Sequence, residues 1–178
     1  NFELAGWPSA KLVPVRNPVE PHHRLRVAAE ANRGVLFIGR ISAEKGADLA
    51  AAAAREAGMP ITFVGDGAEM DKVRAINPDA VLLGRQDRAG VARALAQARV
   101  AVMPSRWSEP FGLVALEAIG SGVPVIVSDR ALVAQEIADA GFGLSLDTSD
   151  VRQFAAALAG LAADDARLAA MSAAGHAG

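Results

Sequence analysis

Two glutamates, Glu109 and Glu117, stand eight residues apart, with Pro110, Phe111 and Gly112 directly after the first. They fall in the stretch Met103 to Val127, which reads as the exit of a buried strand, a short loop, a helix and the next buried strand. Such a junction suits a phosphate together with polyhydroxylated groups. The first amides of a helix lack partners within it and lie at the positive end of the macrodipole, so the amides near Gly112 and Leu113 offer an anion seat. Gly112 lets a ligand come close. A carboxylate in that seat would compete with phosphate, so Glu109 is better aimed at neutral hydroxyls beside it. If both positions were helical, about two turns would separate the acids and set them on roughly one face, gripping two parts of a long ligand. The plain alternative makes Glu109 a first-turn helix acid and Glu117 a solvated helix residue. Against it, Glu117 lies inside the apolar run Leu113 to Ile119, where an unpaired charge is costly.

A second loop carries cations. In Gly39-Arg40-Ile41-Ser42-Ala43-Glu44-Lys45-Gly46, Arg40 and Lys45 could clamp a diphosphate, the arginine as a planar fork and the lysine as a point charge. Taken alone, the loop reads better as a surface turn with a helix start; beside the glutamate pair it gains weight. Gly65-Asp66-Gly67 follows a strand and invites a dinucleotide reading, but Met70 stands where the complete glycine fingerprint needs another glycine. Pro104-Ser105-Arg106-Trp107 could rim a cleft, with Trp107 stacking on a sugar or a partner domain, although an exposed loop aromatic is common. The histidines His22, His23 and His176 have no metal-ligand companions at helical spacing, and solvated surface is the expectation for them. No Ser-His-Asp arrangement can be argued, and no metal site or cofactor is expected.

These loops need a framework. Val35 to Ile38, Ile61 to Val64, Ala80 to Leu83, Val100 to Met103, Val123 to Val127 and Gly143 to Leu146 read as short apolar strands. Between them come helices at Ala47 to Ala57, up to about Ala75, Ala89 to Ala98, along the central stretch and at Ala131 to Ala138. Lys11 to Val15 is a further strand candidate, broken by Pro14 in a way that suits a sheet edge, and an alanine-rich helix trails from about Val151. Short strands alternating with helices imply a parallel sheet covered on both faces, a doubly wound Rossmann-like α/β domain of about six strands. Ligands in such sheets bind beyond the carboxyl ends of the strands, which selects the loops after Ile38, Val64, Leu83, Met103 and Val127.

Composition narrows the classes. A length of 178 residues suits one domain; 52% hydrophobic residues suffice for a core, although much of that is alanine. A net charge of −2 gives no electrostatic case for nucleic acid or an anionic membrane. Cysteine is absent, which excludes disulfides and thiolate metal sites and suits a cytoplasmic address. No apolar run approaches the ~20 residues of a membrane span. The chain begins with Asn1 rather than methionine and reads as a fragment or a processed product.

Glu109-Pro110-Phe111-Gly112-Leu113, followed by Glu117 and Gly122-Val123-Pro124-Val125, resembles the signature of retaining GT-B glycosyltransferases of the glycogen synthase, sucrose synthase and bacterial mannosyltransferase group. Arg40, Lys45 and Gly46 match a loop common in that group. The likeness runs from about Ala10 to about Leu146. It implies the C-terminal, donor-binding half of a two-domain enzyme, with 1–9 an interdomain segment and 151–178 a trailing helical one. The implied reaction transfers a glycosyl unit from a nucleoside diphosphate sugar to an acceptor hydroxyl with retention of configuration, without metal. By resemblance Arg40 and Lys45 bind the diphosphate and stabilise the leaving group, Glu109 contacts the transferred sugar, and Glu117 the ribose. Phe111, Gly112 and Leu113 offer amides to phosphate or sugar, Gly39 and Gly67 lie at turns near the nucleotide, and Gly84 and Arg85 help form the base pocket. The implied partners are the nucleotide sugar and an N-terminal acceptor domain; membrane association of the complete enzyme is left open. Asp129-Arg130-Ala131-Leu132 stands where the group often has glycines, which puts a backbone sugar contact there in doubt, and Gly120 replaces a usual alanine. An isolated half should bind nucleotide yet catalyse poorly. The rivals are a nucleoside-diphosphate-sugar epimerase half, a dinucleotide oxidoreductase and a non-catalytic nucleotide-binding module. Base, sugar, acceptor and oligomeric state cannot be read from these residues.

Overall fold

The computed structural model describes residues 18–177, so the strand expected at Lys11 to Val15 and the segment 1–9 lie outside the described residues. Six strands form one sheet: β1 (Gly34–Ile38), β2 (Ile61–Val64), β3 (Val81–Leu82), β4 (Ala98–Met103), β5 (Val125–Ser128) and β6 (Gly143–Leu146). They pair in parallel in the order β3-β2-β1-β4-β5-β6. The helices are α1 (Ala47–Glu56), α2 (Met70–Ile76), α3 (Arg88–Ala96), α4 (Leu113–Gly120), α5 (Ala134–Asp139), α6 (Val151–Ala163) and α7 (Asp165–Ala177).

Parallel strands joined by helical crossovers must bury both faces, and the alternation along β1 shows how. Val35 and Phe37 belong to the cluster under α1, α2 and α6, whereas Leu36 joins the opposite cluster with α3, α4 and α5. On the first side α1 contributes Ala47, Ala50, Ala51, Ala53 and Ala54, all fully buried. So small a surface lets the helix lie close on the sheet, and the bulk comes from Phe63, Phe154, Leu158 and Leu161. The Phe37 and Phe63 rings meet at 5.2 Å between centroids.

Some boundaries differ from those expected. Helix α3 stops at Ala96 and β4 starts at Ala98, because the Asn32 amide donates to the carbonyls of both Ala96 and Ala98, at 2.9 and 3.0 Å. Helix α5 starts at Ala134 rather than Ala131, since residues 129–133 form a turn used elsewhere. The trailing segment is two helices, parted at Asp164, and neither trails. Phe154, Leu158 and Leu161 of α6 and Leu168 of α7 are fully buried. The Ser172 hydroxyl of α7 accepts from Arg26 (2.8 Å) and donates to the Gly122 carbonyl (2.5 Å). His176, also on α7, is hydrogen-bonded through Nδ1 to the Gly120 carbonyl (2.8 Å).

Candidate functional site

The order of strands reverses between β1 and β4, and the crevice beyond their carboxyl ends is where such a sheet offers a ligand site. Out of β1 comes the loop Gly39–Gly46, and out of β4 the loop Pro104–Gly112. The two touch through their backbones. Gly46 has φ +70°, and a Cβ there would lie 2.0 Å from the Pro104 carbonyl oxygen, so only glycine allows the approach.

Side chains complete the junction. The Lys45 ammonium and the Glu109 carboxylate are joined as an ion pair, both largely sheltered at 29% and 18% exposure. They line a pocket of about 150 Å³ with Gly39, Ser105, Phe111 and Leu113. The N-cap of α4 is Gly112 in the left-handed conformation at φ +60°, and a Cβ on it would meet Val133 Cγ2 at 2.5 Å. The first turn of α4 is thus brought against the loop after β5. From that loop the Leu132 amide donates to the Glu109 carbonyl (3.0 Å), which is where residues 129–133 are spent instead of in α5.

A second set of charges sits behind the pocket. The Arg106 guanidinium donates to both oxygens of Asp48, at 2.6 and 3.0 Å, and to the Ala43 carbonyl (2.6 Å). The Arg106 amide donates to the Glu44 carbonyl (2.9 Å), and Lys72 donates to Asp48 (2.9 Å). Asp48 is about nine-tenths buried. Burial pushes its carboxyl up, but hydrogen bonds from Arg106 and Lys72, with their charges, outweigh that and hold it at about 2.

The remaining expected residues lie around this centre. Arg40 and Arg85 are exposed, and Arg40 makes no ion pair among the described residues. Gly67 packs on the Ile41 carbonyl, and Gly84 forms a bridge with Gly65, so the loops after β1, β2 and β3 lie side by side. Trp107 is exposed. Glu117 is on α4 and does not line the pocket. Glu109 lies in the loop, because the helix begins only at Leu113, so the two acids do not share a helix face. Each has its own neighbour: the Lys45 ammonium for Glu109, and the imidazole of His22, whose Nε2 is 3.5 Å away, for Glu117.

The histidines correct the expectation of a solvated surface. The His22 side chain is only 6% exposed, its Nδ1 is without a partner among the described residues, and the backbone amide of the residue donates to Ser121 Oγ (2.9 Å). His23 Nε2 is hydrogen-bonded to the Ala92 carbonyl (2.7 Å). Ser105, expected with its neighbours at the rim of a cleft, is buried in the pocket wall with its Oγ unpartnered among the described residues, whereas the Asp48–Arg106 pair was not foreseen. Arg106 shared the local signal of the stretch Pro104 to Trp107, and Asp48 had none. Among the described residues no cluster of three or more His, Cys, Asp or Glu could hold a metal ion, and no helix is long and apolar enough to cross a membrane.

Comparison with known proteins bears on these features together. Residues 21–177 match the family model of glycosyl transferases group 1, so the match runs on through α6 and α7. A glycogen synthase of Mycobacterium tuberculosis is 31% identical over 177 residues, covering 93% of this chain and 39% of its own length. A GDP-mannose-dependent alpha-mannosyltransferase of Mycolicibacterium smegmatis is 33% identical over 128 residues, 72% of this chain and 34% of its own. Among solved structures the Anabaena protein HepE, in complex with UDP, superposes with a TM-score of 0.79 at 19% identity, over 99% of this chain and 54% of that one. The chain therefore spans about two fifths of the glycogen synthase it matches.

Proposed function

The chain belongs to the glycosyl transferases group 1, and from that premise we propose that it is the donor-binding half of a retaining glycosyltransferase, holding a nucleoside diphosphate sugar for attack by an acceptor hydroxyl. The observation that carries this reading is the meeting of Lys45 and Glu109 across the β1/β4 crevice, beside the N-terminus of α4. A cation, free helix amides and a carboxylate at one point match a ligand that is anionic at one end and hydroxylated at the other.

In this reading Lys45 and the exposed Arg40 take the diphosphate and stabilise the charge that grows on it as the glycosidic bond breaks. Glu109 accepts from hydroxyls of the transferred sugar, and Glu117 from the ribose. Amides of Phe111, Gly112 and Leu113 serve phosphate or sugar, Gly39 and Gly67 border the nucleotide, and Gly84 and Arg85 border the base. Configuration is retained because the acceptor attacks from the face the diphosphate leaves. A pocket of about 150 Å³ is well below the ~300–1,000 Å³ of usual ligand sites, so another wall has to come from elsewhere. An acceptor domain preceding this one in the same enzyme supplies it. The reading needs no cofactor beyond the donor, and with no cysteine in the chain the location that accompanies it is cytoplasmic.

Calorimetric titration with UDP, GDP, ADP and a nicotinamide dinucleotide tests this directly. Saturable binding of one nucleoside diphosphate, weakened at least about tenfold by Lys45→Ala, is the expected result. A folded sample that binds none of the diphosphates, or binds the nicotinamide dinucleotide instead, overturns it.

A further inference from the structure

Lys45 pairs with Glu109, and three residues onward from Lys45, in the first turn of α1, Asp48 pairs with Arg106, three residues before Glu109. The two ion pairs are therefore successive rungs between segments running in opposite directions. The outer rung lines the pocket; the inner one lies outside that lining, with its carboxylate buried and its guanidinium partly exposed. We infer that Asp48 and Arg106 form a positioning pair: they fix the span between the two loops, so that Lys45 can be drawn from Glu109 by a diphosphate without the loops parting. This rests on the donor-site reading of Lys45 and Glu109.

Four contacts carry the inference. Arg106 reaches both Asp48 oxygens and the Ala43 carbonyl with its side chain, and the Glu44 carbonyl with its amide. All four acceptors belong to the segment that carries Lys45. A planar guanidinium bonded to a buried carboxylate at two points fixes direction as well as distance, which a lysine cannot do. Asp48 is also not a plain helix-start acid: no α1 amide among the described residues donates to it, and its partners come from the loop after β4 and from α2. Donor binding replaces one partner of Lys45 by another at the outer rung. With the inner rung intact, the ammonium turns from carboxylate to phosphate over a short path, and Glu109 is freed for sugar hydroxyls. Without it the same anion would spread the loops and lose the carboxylate from its site.

The test is a double-mutant cycle on the full chain with Arg106→Lys, Lys45→Ala and both together, titrated with whichever of UDP, GDP or ADP the unaltered chain binds. Thermal melts check folding. Arg106→Lys keeps the charge and loses the fork, and it should weaken binding about tenfold. In the Lys45→Ala background the same change should alter affinity less than about twofold, because the group it positions is gone. Equal losses in both backgrounds indicate a merely structural role and overturn the inference, as does unchanged affinity in Arg106→Lys. Asp48→Asn repeats the cycle from the other partner should Arg106→Lys fail to fold. If the unaltered chain binds no nucleoside diphosphate, the donor reading itself falls, a result separate from the other two.

Discussion

Asp48→Asn should make the protein less stable at neutral pH, by an amount that shrinks in acid. The carboxyl has an ordinary value of 3.8 and is held at about 2 in the fold. At about 1.4 kcal/mol for each tenfold change in proton affinity, the full effect is a little over 2 kcal/mol. Its partners Lys72 and Arg106 are 49% and 38% exposed. Solvent screening at those partners reduces the expected cost to about 1–2 kcal/mol. The sign follows from which state holds the proton more weakly. Here that is the folded state, so the contribution is complete above the unfolded value and is lost as pH falls through 3.8 toward about 2. About half of it is gone by pH 3. Urea unfolding of the wild-type chain and Asp48→Asn, run in parallel at several pH values from neutral to about 3, measures the difference between them. Other carboxylates titrate in both proteins and cancel. A difference that stays constant across that range would refute the account, since it would mean that the charge on Asp48 contributes nothing. Equal stability at pH 7 would refute it more simply.

Gly46→Ala should cost clearly more than Gly58→Ala. Both glycines are left-handed, at φ +70° and +66°, but a Cβ at Gly46 meets the Pro104 oxygen at 2.0 Å while none at Gly58 meets anything within 4 Å. Left-handed backbone alone costs about 1–2 kcal/mol, so a Gly46 variant no worse than that by urea unfolding would mean that the two loops are not locked together. Phe154→Ala empties a fully buried site under the sheet and should lose about 3–5 kcal/mol. A loss under about 1 kcal/mol would show α6 to be an accessory rather than part of the core.

How much of this was legible depends on the range of the interaction. The strands were legible because an apolar run bounded by glycine or polar residues announces itself locally, and with their order came the end of the sheet where a ligand must sit. That brought Gly39, Lys45, Glu109, Phe111 and Leu113 into one pocket wall from residues far apart in sequence. What failed was set by distant partners. The end of α3 depends on Asn32, and the setting of Glu117 on His22. The role of Asp48 depends on Arg106 of another loop, which no local pattern announces. The expectation of one face for Glu109 and Glu117 failed for a local reason, since Gly112 turns left-handed and starts the helix late.

Helix α4 also works as a short rod. Its eight residues span about 12 Å. One end, capped by Gly112, borders the pocket, and the other ends at Gly120. That far end is gripped from both directions along the chain: by His176 of α7 on the Gly120 carbonyl, and by His22 through its amide on Ser121. The Ser172 hydroxyl ties Arg26 to Gly122 across the same corner. A displacement imposed on the segment around His22 or on α7 is therefore delivered as a push or twist along α4, toward the turn at Leu113 that lines the pocket. Load applied there reaches the pocket through a stiff part and not through its loops.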